Sequence, residues 1–219
     1  MNKSFIFLLL TVFSFNACFS QVNGKEGFFN VKDYGAAGNG ADLDTKAVDN
    51  AIAACVKAGG GTVYFPAGSF LTGSFQLFSN VNLYLGPGSV ILASTNKNDY
   101  FFQKDYGFSG SGAGDRIGLI FAHDAQNVSI TGQGTVDGRG TYFMYMDSLQ
   151  YGMDFDPKYT RQGTDYMNPK YGRKDGPVLW KGTYADRPGT EIIFSSCTKV
   201  AVSGITIREA ANWSLHFLA

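Results

Sequence analysis

The amino-acid sequence predicts an all-β protein whose short strands wind into a solenoid, and three observations support this prediction. Glycine is frequent, with 28 of 219 residues, and there are 19 phenylalanines, a composition that suggests many short strands joined by tight turns. From Thr62 onward, short apolar or alternating runs are separated by Gly, Asn and Ser. Finally, one pattern recurs along the chain.

The recurring pattern is a polar residue, Val, any residue, an aliphatic residue, and small residues that lead into another strand. It begins at Asn80, Asn127 and Lys199. The spacing from Asn80 to Asn127 corresponds to about two units of 23 or 24 residues each, and the spacing from Asn127 to Lys199 to two such units plus an insertion. A period in the low twenties without alternating helices is typical of a β-solenoid, whose coils stack to bury their apolar side chains. A β-sandwich, which also has short strands and frequent turns, is the alternative.

The first twenty residues predict a secretory signal peptide. Lys3 precedes an apolar run from Phe5 to Phe15, and small residues follow, so we expect cleavage after Ser20. The run is too short for a membrane-spanning helix, which needs roughly 20 residues. The alternative is a lipoprotein anchored through Cys18. Both interpretations place the mature protein outside the cytoplasm, either secreted or periplasmic.

Residues 44–58 predict the one clear helix of the chain. Asp44 or Thr45 can cap its first amides, and Gly59 ends it. We expect it to cover the first coil, since an uncovered coil exposes unpaired backbone groups. Its apolar face comprises Ala47, Val48, Ala51, Ile52, Cys55 and Val56. The preceding string "GAAGNG" superficially resembles a phosphate-binding loop, but polar residues intervene before the helix, which favours a turn.

The remaining strands and their connections resemble a known family when taken in order. The segments that carry the resemblance are "NVKDYGAAGNGADLDTKAVDNAIAAC", "GGGTVYFPAGSFLTGSFQL", "NVNLYLGPGSVILAS", "NVSITGQGTVDGRG" and "RPGTEIIFSSCTKVAVSGITIREAANWSLHF". Together they are similar to the N-terminal part of glycoside hydrolase family 28, the pectin-degrading polygalacturonases and their exo-acting relatives. The resemblance implies a right-handed parallel β-helix with an N-terminal helical cap. It also implies inverting hydrolysis of galacturonan or related pectic chains without a metal or cofactor.

An inverting glycosidase needs one carboxylic acid to protonate the leaving oxygen and a carboxylate to activate water, about 6.5–9.5 Å apart. The family carries these groups in Asn-Thr-Asp and Asp-Asp elements, followed by Gly-His-Gly and Arg-Ile-Lys. None of the four occurs in this sequence, which ends shortly after the segment from Trp213 to His216. We therefore assign no catalytic residue and expect the acids beyond Ala219. On this interpretation residues 21–219 are the N-terminal part of one β-helix domain that is C-terminally incomplete, inactive alone and poorly soluble.

Residues 141–187 break the strand pattern and predict a long loop insertion. They hold ten aromatic residues and seven Lys or Arg. Aromatic faces can pack on sugar rings, and cations can pair with uronate carboxylates. The substrate-binding candidates are Arg161, Arg173, Lys174, Trp180 and Arg187. The alternative is that the aromatic rings pack the loop onto the solenoid and the charges are solvated.

Other polar residues have structural interpretations that we favour over functional ones. Asp154 and Asp156 form the closest carboxylate pair, but solvated loop charges explain them better. Asp137 is expected to support a turn before Gly138. His123 and His216 lack any metal-ligand spacing, so a zinc site has little support.

The cysteines and the strings that match glycosylation acceptors also have structural interpretations that we favour over functional ones. After the signal peptide only Cys55 and Cys197 remain, and buried free thiols are favoured over a mutual bridge. The strings "NVS" at Asn127 and "NWS" at Asn212 match glycosylation acceptors, but both lie in predicted coils, so chance matches are favoured.

Three functions remain open at this stage. The first is an exported pectin-type glycoside hydrolase, a monomer when complete, whose partner is a pectic polysaccharide. The second is a non-catalytic carbohydrate-binding β-helix. The third is a polysaccharide lyase, although no clustered acidic signature for its usual calcium ligands is present. Balanced charge, with 18 Lys and Arg against 18 Asp and Glu, argues against nucleic-acid binding.

Overall fold

The computed structural model of the chain describes residues 27–107, 117–143, 149–150, 153–154 and 188–218. Within them the backbone forms a parallel β-helix with three sheets, which we call sheets A, B and C. Sheet A contains β1 (Phe28–Asn30), β3 (Gly61–Phe65), β6 (Val81–Leu85), β9 (Gln126–Gly132) and β14 (Thr198–Ser203). Sheet B contains β2 (Asn39–Leu43), β4 (Gly68–Thr72), β7 (Ser89–Ala93), β10 (Thr135–Asp137) and β15 (Thr206–Arg208). Sheet C contains β5 (Phe75–Leu77), β8 (Ile120–His123), β13 (Ile192–Ser195) and β16 (Leu215–Leu218).

The other elements lie at the start of the solenoid or in its connections. They are α1 (Thr45–Lys57), α2 (Gly140–Phe143), three short 3-10 helices (Val31–Tyr34, Lys97–Asp99 and Gln103–Tyr106) and the antiparallel pair β11 (Leu149–Gln150) and β12 (Met153–Asp154). No helix in the described ranges has the length and apolar character to cross a membrane.

Each coil after the first contributes one strand to each sheet, in the order A, B, C, whereas the first coil contributes β1 and β2 to sheets A and B and is followed by α1. The strand β6 pairs directly with β9, and β9 with β14, all in parallel register. The three repeats that begin at Asn80, Asn127 and Lys199 therefore stack, which confirms the solenoid and excludes the β-sandwich. The predicted coil count is wrong, however. Each spacing between successive repeats is a single coil, because no further strand lies between the paired ones in sheet A.

Insertions account for the unequal coil lengths. In the shortest coil, Gly61 of β3 pairs with Val81 of β6, and only β4 and β5 lie between these two strands. The longer coils carry their additional residues between sheets B and C, at 94–119 and 138–191. Residues 141–187, predicted as an insertion, fall within the second of these connections. In the first coil α1 follows β2 at the same corner.

The core consists of columns of inward side chains from successive coils. In sheet A, Val63, Leu83 and Ile130 are paired in register and fully buried. Similar columns run through sheet B (Phe70, Ile91, Val136 and Ile207) and through sheet C (Phe75, Ile120, Ile192 and Leu215). Full burial of one such side chain contributes about 1.5–3 kcal/mol. The columns therefore tie the stability of each coil to that of its neighbours.

The polar first residue of each repeat lies at the start of a strand of sheet A, directly before β6 or as the second residue of β9 and β14. Asn80, Asn127 and Lys199 have positive φ angles of 64°, 55° and 55°. Asparagine tolerates this left-handed conformation better than most residues do. The side-chain amide Nδ2 of Asn127 also donates a hydrogen bond to Oδ1 of Asn80 at 3.0 Å. Asn127 thus has a structural role at the start of β9, consistent with a chance match to a glycosylation signal.

Helix α1 covers the first coil with one face, as predicted. Ala47, Val48, Ala51, Ile52 and Cys55 are buried, whereas Val56, which was placed on the same face, is 41% exposed. The helix ends as predicted, because Gly59 takes a φ of 90° and its N–H donates to the Val56 carbonyl. The Gly60 N–H donates to the Cys55 carbonyl, which completes a Schellman motif.

The predicted capping of α1 is wrong. Asp44 occupies the N-cap position but makes no side-chain capping bond. Its carboxylate instead accepts the N–H groups of Ala37 and Gly38, at 2.6 and 3.0 Å. The Thr45 hydroxyl accepts the N–H of Gly73 at 2.8 Å. Asp44 therefore holds the "GAAGNG" loop as a turn, and amides that a phosphate loop would offer to a ligand are already used.

Both described cysteines are free. Cys55 is buried, as predicted, and burial raises the pKa of its thiol to about 11. Cys197 is only half-buried, and its thiol donates to the Ser195 carbonyl at 3.2 Å. Burial is also the main cause that raises the Cys197 pKa. Neither thiol is activated as a nucleophile.

Replacing Asp44 by Ala should destabilise the fold by about 1–3 kcal/mol, because two amides in the turn lose their acceptor. The measurement is the midpoint of thermal unfolding, followed by circular dichroism. Asp42→Ala is the matched control, since the Asp42 carboxylate accepts an exposed bond from Asn39. Equal midpoints for the two variants would contradict the role assigned to Asp44.

Candidate functional site

Charged side chains meet on the outward face of sheet B, where the strands of two successive coils end. Leu92, Asp137 and Arg208 occupy the same register on β7, β10 and β15. They face an open cleft with a volume of about 450 Å³. The cleft is lined by Leu92, Asp137, Arg139, Tyr142, Arg208 and Glu209. It lies at the corner from which the long insertions leave the solenoid.

Asp137 organises the centre of this cleft. The residue is 7% exposed. Its carboxylate forms an ion pair with Arg208, whose Nη2 lies 2.7 Å from Oδ2 of Asp137. The other oxygen accepts the N–H of Arg139 at 3.0 Å. This second bond is the turn-supporting role predicted for Asp137, which is confirmed. The ion pair with Arg208 was not predicted.

The two glycines of the "DGRG" string allow a close approach of two coils. A Cβ atom on Gly138 would lie 2.6 Å from the carbonyl oxygen of Glu209, and one on Gly140 would lie 2.5 Å from the same oxygen. Both distances are shorter than van der Waals contact. The N–H of Gly138 donates to the Arg208 carbonyl at 2.9 Å, which locks the turn against β15. Glycine is therefore required at both positions for the Asp137–Arg208 geometry.

Arg139, between these glycines, is half-buried and has a φ of 48°. Its Nη1 lies 3.4 Å from the Ala93 carbonyl oxygen, a long hydrogen bond. Arg208 has a more accessible side chain, 58% exposed. A guanidinium has five N–H donors, so the ion pair with Asp137 leaves donors of Arg208 for a further anion.

Glu191 lies beneath this cleft, immediately before β13. It is 3% exposed, and in the part of the chain that the structure describes neither of its carboxyl oxygens has a hydrogen-bond partner. Oε2 lies 3.0 Å from the position a Cβ on Gly138 would take, which places the carboxyl group directly under the turn that follows Asp137. Burial, and secondarily the negative charge of Asp137, raises the pKa of Glu191 to about 9.

A narrow inner pocket, with a volume of about 10 Å³, is lined in part by Glu191. It is lined by Ala93, Tyr100, Gly118, Leu119, Gly138, Pro188, Gly189, Glu191 and Ala211. The Tyr100 hydroxyl donates to the Ser94 carbonyl at 2.5 Å. Burial is also the main cause that raises the Tyr100 pKa, and the Glu191 charge adds to it. Small and apolar residues dominate the lining, which is why a charge there is poorly solvated.

The substrate-binding residues predicted from sequence are not among these groups. Arg161, Arg173, Lys174, Trp180 and Arg187 lie outside the described residues, as does Asp156. The backbone of Asp154 is in β12, and its side chain is not described. These assignments stay predictions.

The two histidines lie apart on sheet C. His123 pairs in register with Ser195, and His216 with Ile193. Among the described residues, no three His, Cys, Asp or Glu side chains group as metal ligands would.

Sequence reasoning missed Glu191, Arg139 and Arg208. One signal for Glu191 is present in the sequence, because the residue directly precedes the unbroken apolar run at 192–194, which is typical of a strand buried on both faces. The structure buries all four residues from Ile192 to Ser195. A glutamate that directly precedes such a strand is drawn into the interior with it. The arginines carry no comparable signal, since their proximity depends on which coils are neighbours.

Glu191 should make stability fall with rising pH. Its pKa in the folded state, about 9, exceeds the ordinary value of 4.5, so the folded state retains a proton that the unfolded chain loses. The contribution of Glu191 to the free energy of unfolding is complete below about pH 4.5. It is lost as the pH rises towards 9, by at most about 1.4 kcal/mol per pH unit. Chemical unfolding across this window should show a shallower slope for Glu191→Gln than for the unchanged chain. Parallel curves would contradict the assignment.

Comparisons with known proteins place the chain in a family. A family described as "Rhamnogalacturonase A/epimerase, pectate lyase-like" matches residues 28–158. A probable polygalacturonase of Vitis vinifera is 36% identical over 206 residues, which cover 90% of this chain and 35% of the relative. An exo-poly-alpha-D-galacturonosidase of Dickeya chrysanthemi is 29% identical over 203 residues, which cover 86% of this chain and 33% of the relative. The chain thus spans about a third of the length of these two relatives.

A solved structure agrees with these relatives. The family 28 exopolygalacturonase of Yersinia enterocolitica superposes with a TM-score of 0.58 at 25% identity, over 88% of this chain and 37% of that one. The predicted resemblance to family 28 and the right-handed parallel β-helix are both confirmed. The chain belongs to the pectate lyase-like family described as rhamnogalacturonase A/epimerase.

Proposed function

We propose that the complete protein hydrolyses glycosidic bonds in a pectic polysaccharide, and that the cleft on sheet B binds uronate residues of that chain. The observation that carries the proposal is the pair of arginines, Arg139 and Arg208, held at one end of an open cleft by Asp137. Guanidinium groups match carboxylates in shape and charge, and a uronate offers one carboxylate per sugar. The relatives named polygalacturonase and galacturonosidase support the same substrate class.

Tyr142 adds a second kind of contact to the cleft. It is 40% exposed at the rim, next to the arginines. An exposed aromatic ring can pack on the apolar face of a sugar while the guanidinium groups engage the carboxylate. The proposal therefore assigns the cleft to polymer binding, and it assigns the inverting acid pair to a part of the protein outside these 219 residues. Export of the protein belongs to the proposal as well, since pectic polysaccharides lie outside cells.

Arg208→Gln should weaken the binding of unesterified oligogalacturonate to the chain by about tenfold or more, because hydrogen bonds to charged groups contribute about 1.5–3 kcal/mol. Isothermal titration calorimetry measures the affinity. Lys57→Gln is the control, since it removes an exposed cation from α1 at the far end of the solenoid. Equal affinities for the Arg208→Gln variant and the unchanged chain would overturn the assignment of the cleft.

Activity of the full-length gene product on polygalacturonate distinguishes the remaining functions. We expect new reducing ends without the ultraviolet absorbance of unsaturated uronates, and no turnover by these 219 residues alone. Unsaturated products would show a lyase instead. Binding without either product would show a non-catalytic carbohydrate-binding protein. Turnover by the 219 residues would contradict our placement of the acids.

A further inference from the structure

The buried carboxyl group of Glu191 has no role in the binding contacts described so far. Among the described residues neither of its oxygens has a hydrogen-bond partner, and it lies directly under Gly138, next to the residue that holds Arg208. An unpartnered polar group at such depth costs free energy, and a charged one costs more. A residue of this kind in the floor of a cleft calls for an explanation beyond packing.

The charges of the cleft itself are balanced. Two cations, Arg139 and Arg208, line it together with two acidic residues, Asp137 and Glu209. With Glu191 uncharged, the formal sum is zero. An ionised Glu191 would add one negative charge beneath the floor, where water screens it poorly.

We propose that Glu191 is a positioning residue that stays uncharged beneath the cleft and thereby leaves the arginines available to an anionic ligand. The inference rests on the proposed function in so far as the ligand is a uronate. In the uncharged form, Glu191 does not repel the carboxylate of the ligand. In the ionised form it adds a negative charge beneath the cleft and repels that carboxylate. The raised pKa of Glu191 supports the uncharged form at neutral pH.

The elements that surround Glu191 carry titratable and charged residues. They are Asp137 and Arg139 at the end of β10, Arg208 and Glu209 at the end of β15, Asp99 and Tyr100 in the connection after β7, His123 on β8 and His216 on β16. Asp137 is the neighbour whose charge acts on the Glu191 pKa in addition to burial.

The first test follows the affinity for unesterified oligogalacturonate from about pH 7.5 to about pH 9.5, a window above the ordinary histidine range. The unchanged chain should lose about tenfold in affinity as Glu191 ionises. Glu191→Gln, which cannot ionise, should bind with nearly constant affinity across the window. If the two proteins lose affinity in parallel, the proposal is wrong.

A rim charge provides the matched control. Glu209→Gln removes a negative charge from the exposed edge of the same cleft. It should raise the affinity at every pH but keep the decline that Glu191 causes. If Glu209→Gln loses that decline, then Glu209 and not Glu191 causes the pH dependence, and the proposal is overturned.

The second test needs no ligand. Infrared difference spectra of the unchanged chain and Glu191→Gln at neutral pH should contain the carbonyl band of one protonated carboxylic acid, present only in the unchanged chain. Absence of this band would overturn the proposal whatever the ligand. If the band is present but oligogalacturonate does not bind to the unchanged chain, the proposed function fails and the uncharged state of Glu191 stands.

Discussion

The structure depends on the stacking of each inward side chain on its counterpart in the next coil. Val63, Leu83 and Ile130 illustrate this constraint, since they come from three coils and are fully buried only because the coils above and below cover them. The parallel hydrogen-bond ladders hold the register in which these side chains meet. No single coil could bury its apolar side chains alone, so the solenoid is stable as a stack or not at all.

The same constraint explains where the candidate site lies. Side chains that point inward pack in the buried columns. Side chains that point outward from neighbouring strands lie side by side, because the same register aligns them. Asp137 and Arg208 lie on either side of the longest insertion in the sequence, yet they are direct partners in the ladder. The turn residues Gly138 and Gly140 then bring the two coils close enough for the ion pair to form. The cleft is thus a product of coil stacking, and its charges are positioned with the accuracy of a β-ladder.

Much of the fold could be predicted from sequence because its signals are local. The repeats at Asn80, Asn127 and Lys199 stack as the pattern implied, and α1 lies where the apolar spacing placed it. The coil count failed, since a constant period was assumed and the sequence pattern does not show which strands are neighbours. The cap of α1 failed because a tertiary partner, the "GAAGNG" loop, competes for the Asp44 carboxylate.

The candidate site was harder to predict for the same physical reason. Arg208 resembles any exposed arginine at the end of a strand until Asp137 is known to lie beside it. Glu191 could have been suspected from the buried strand that follows it, but its neighbour Gly138 lies at the opposite end of the long insertion. Local patterns identify the faces of strands, whereas a site between coils depends on the lengths of the insertions that separate them.

The position of those insertions has a consequence for how such a protein can change. Both long connections leave the solenoid between sheets B and C, and the strands on either side keep their partners. This holds although one coil runs only from Gly61 to Val81 and another from Val128 to Val200. Dozens of residues can therefore be gained, lost or replaced at this corner without a shift in any ladder. The sheets form the base of the cleft and stay the same, whereas the connections form its sides and can be exchanged. A lineage built in this way can alter what its cleft admits while the part that folds it remains the same.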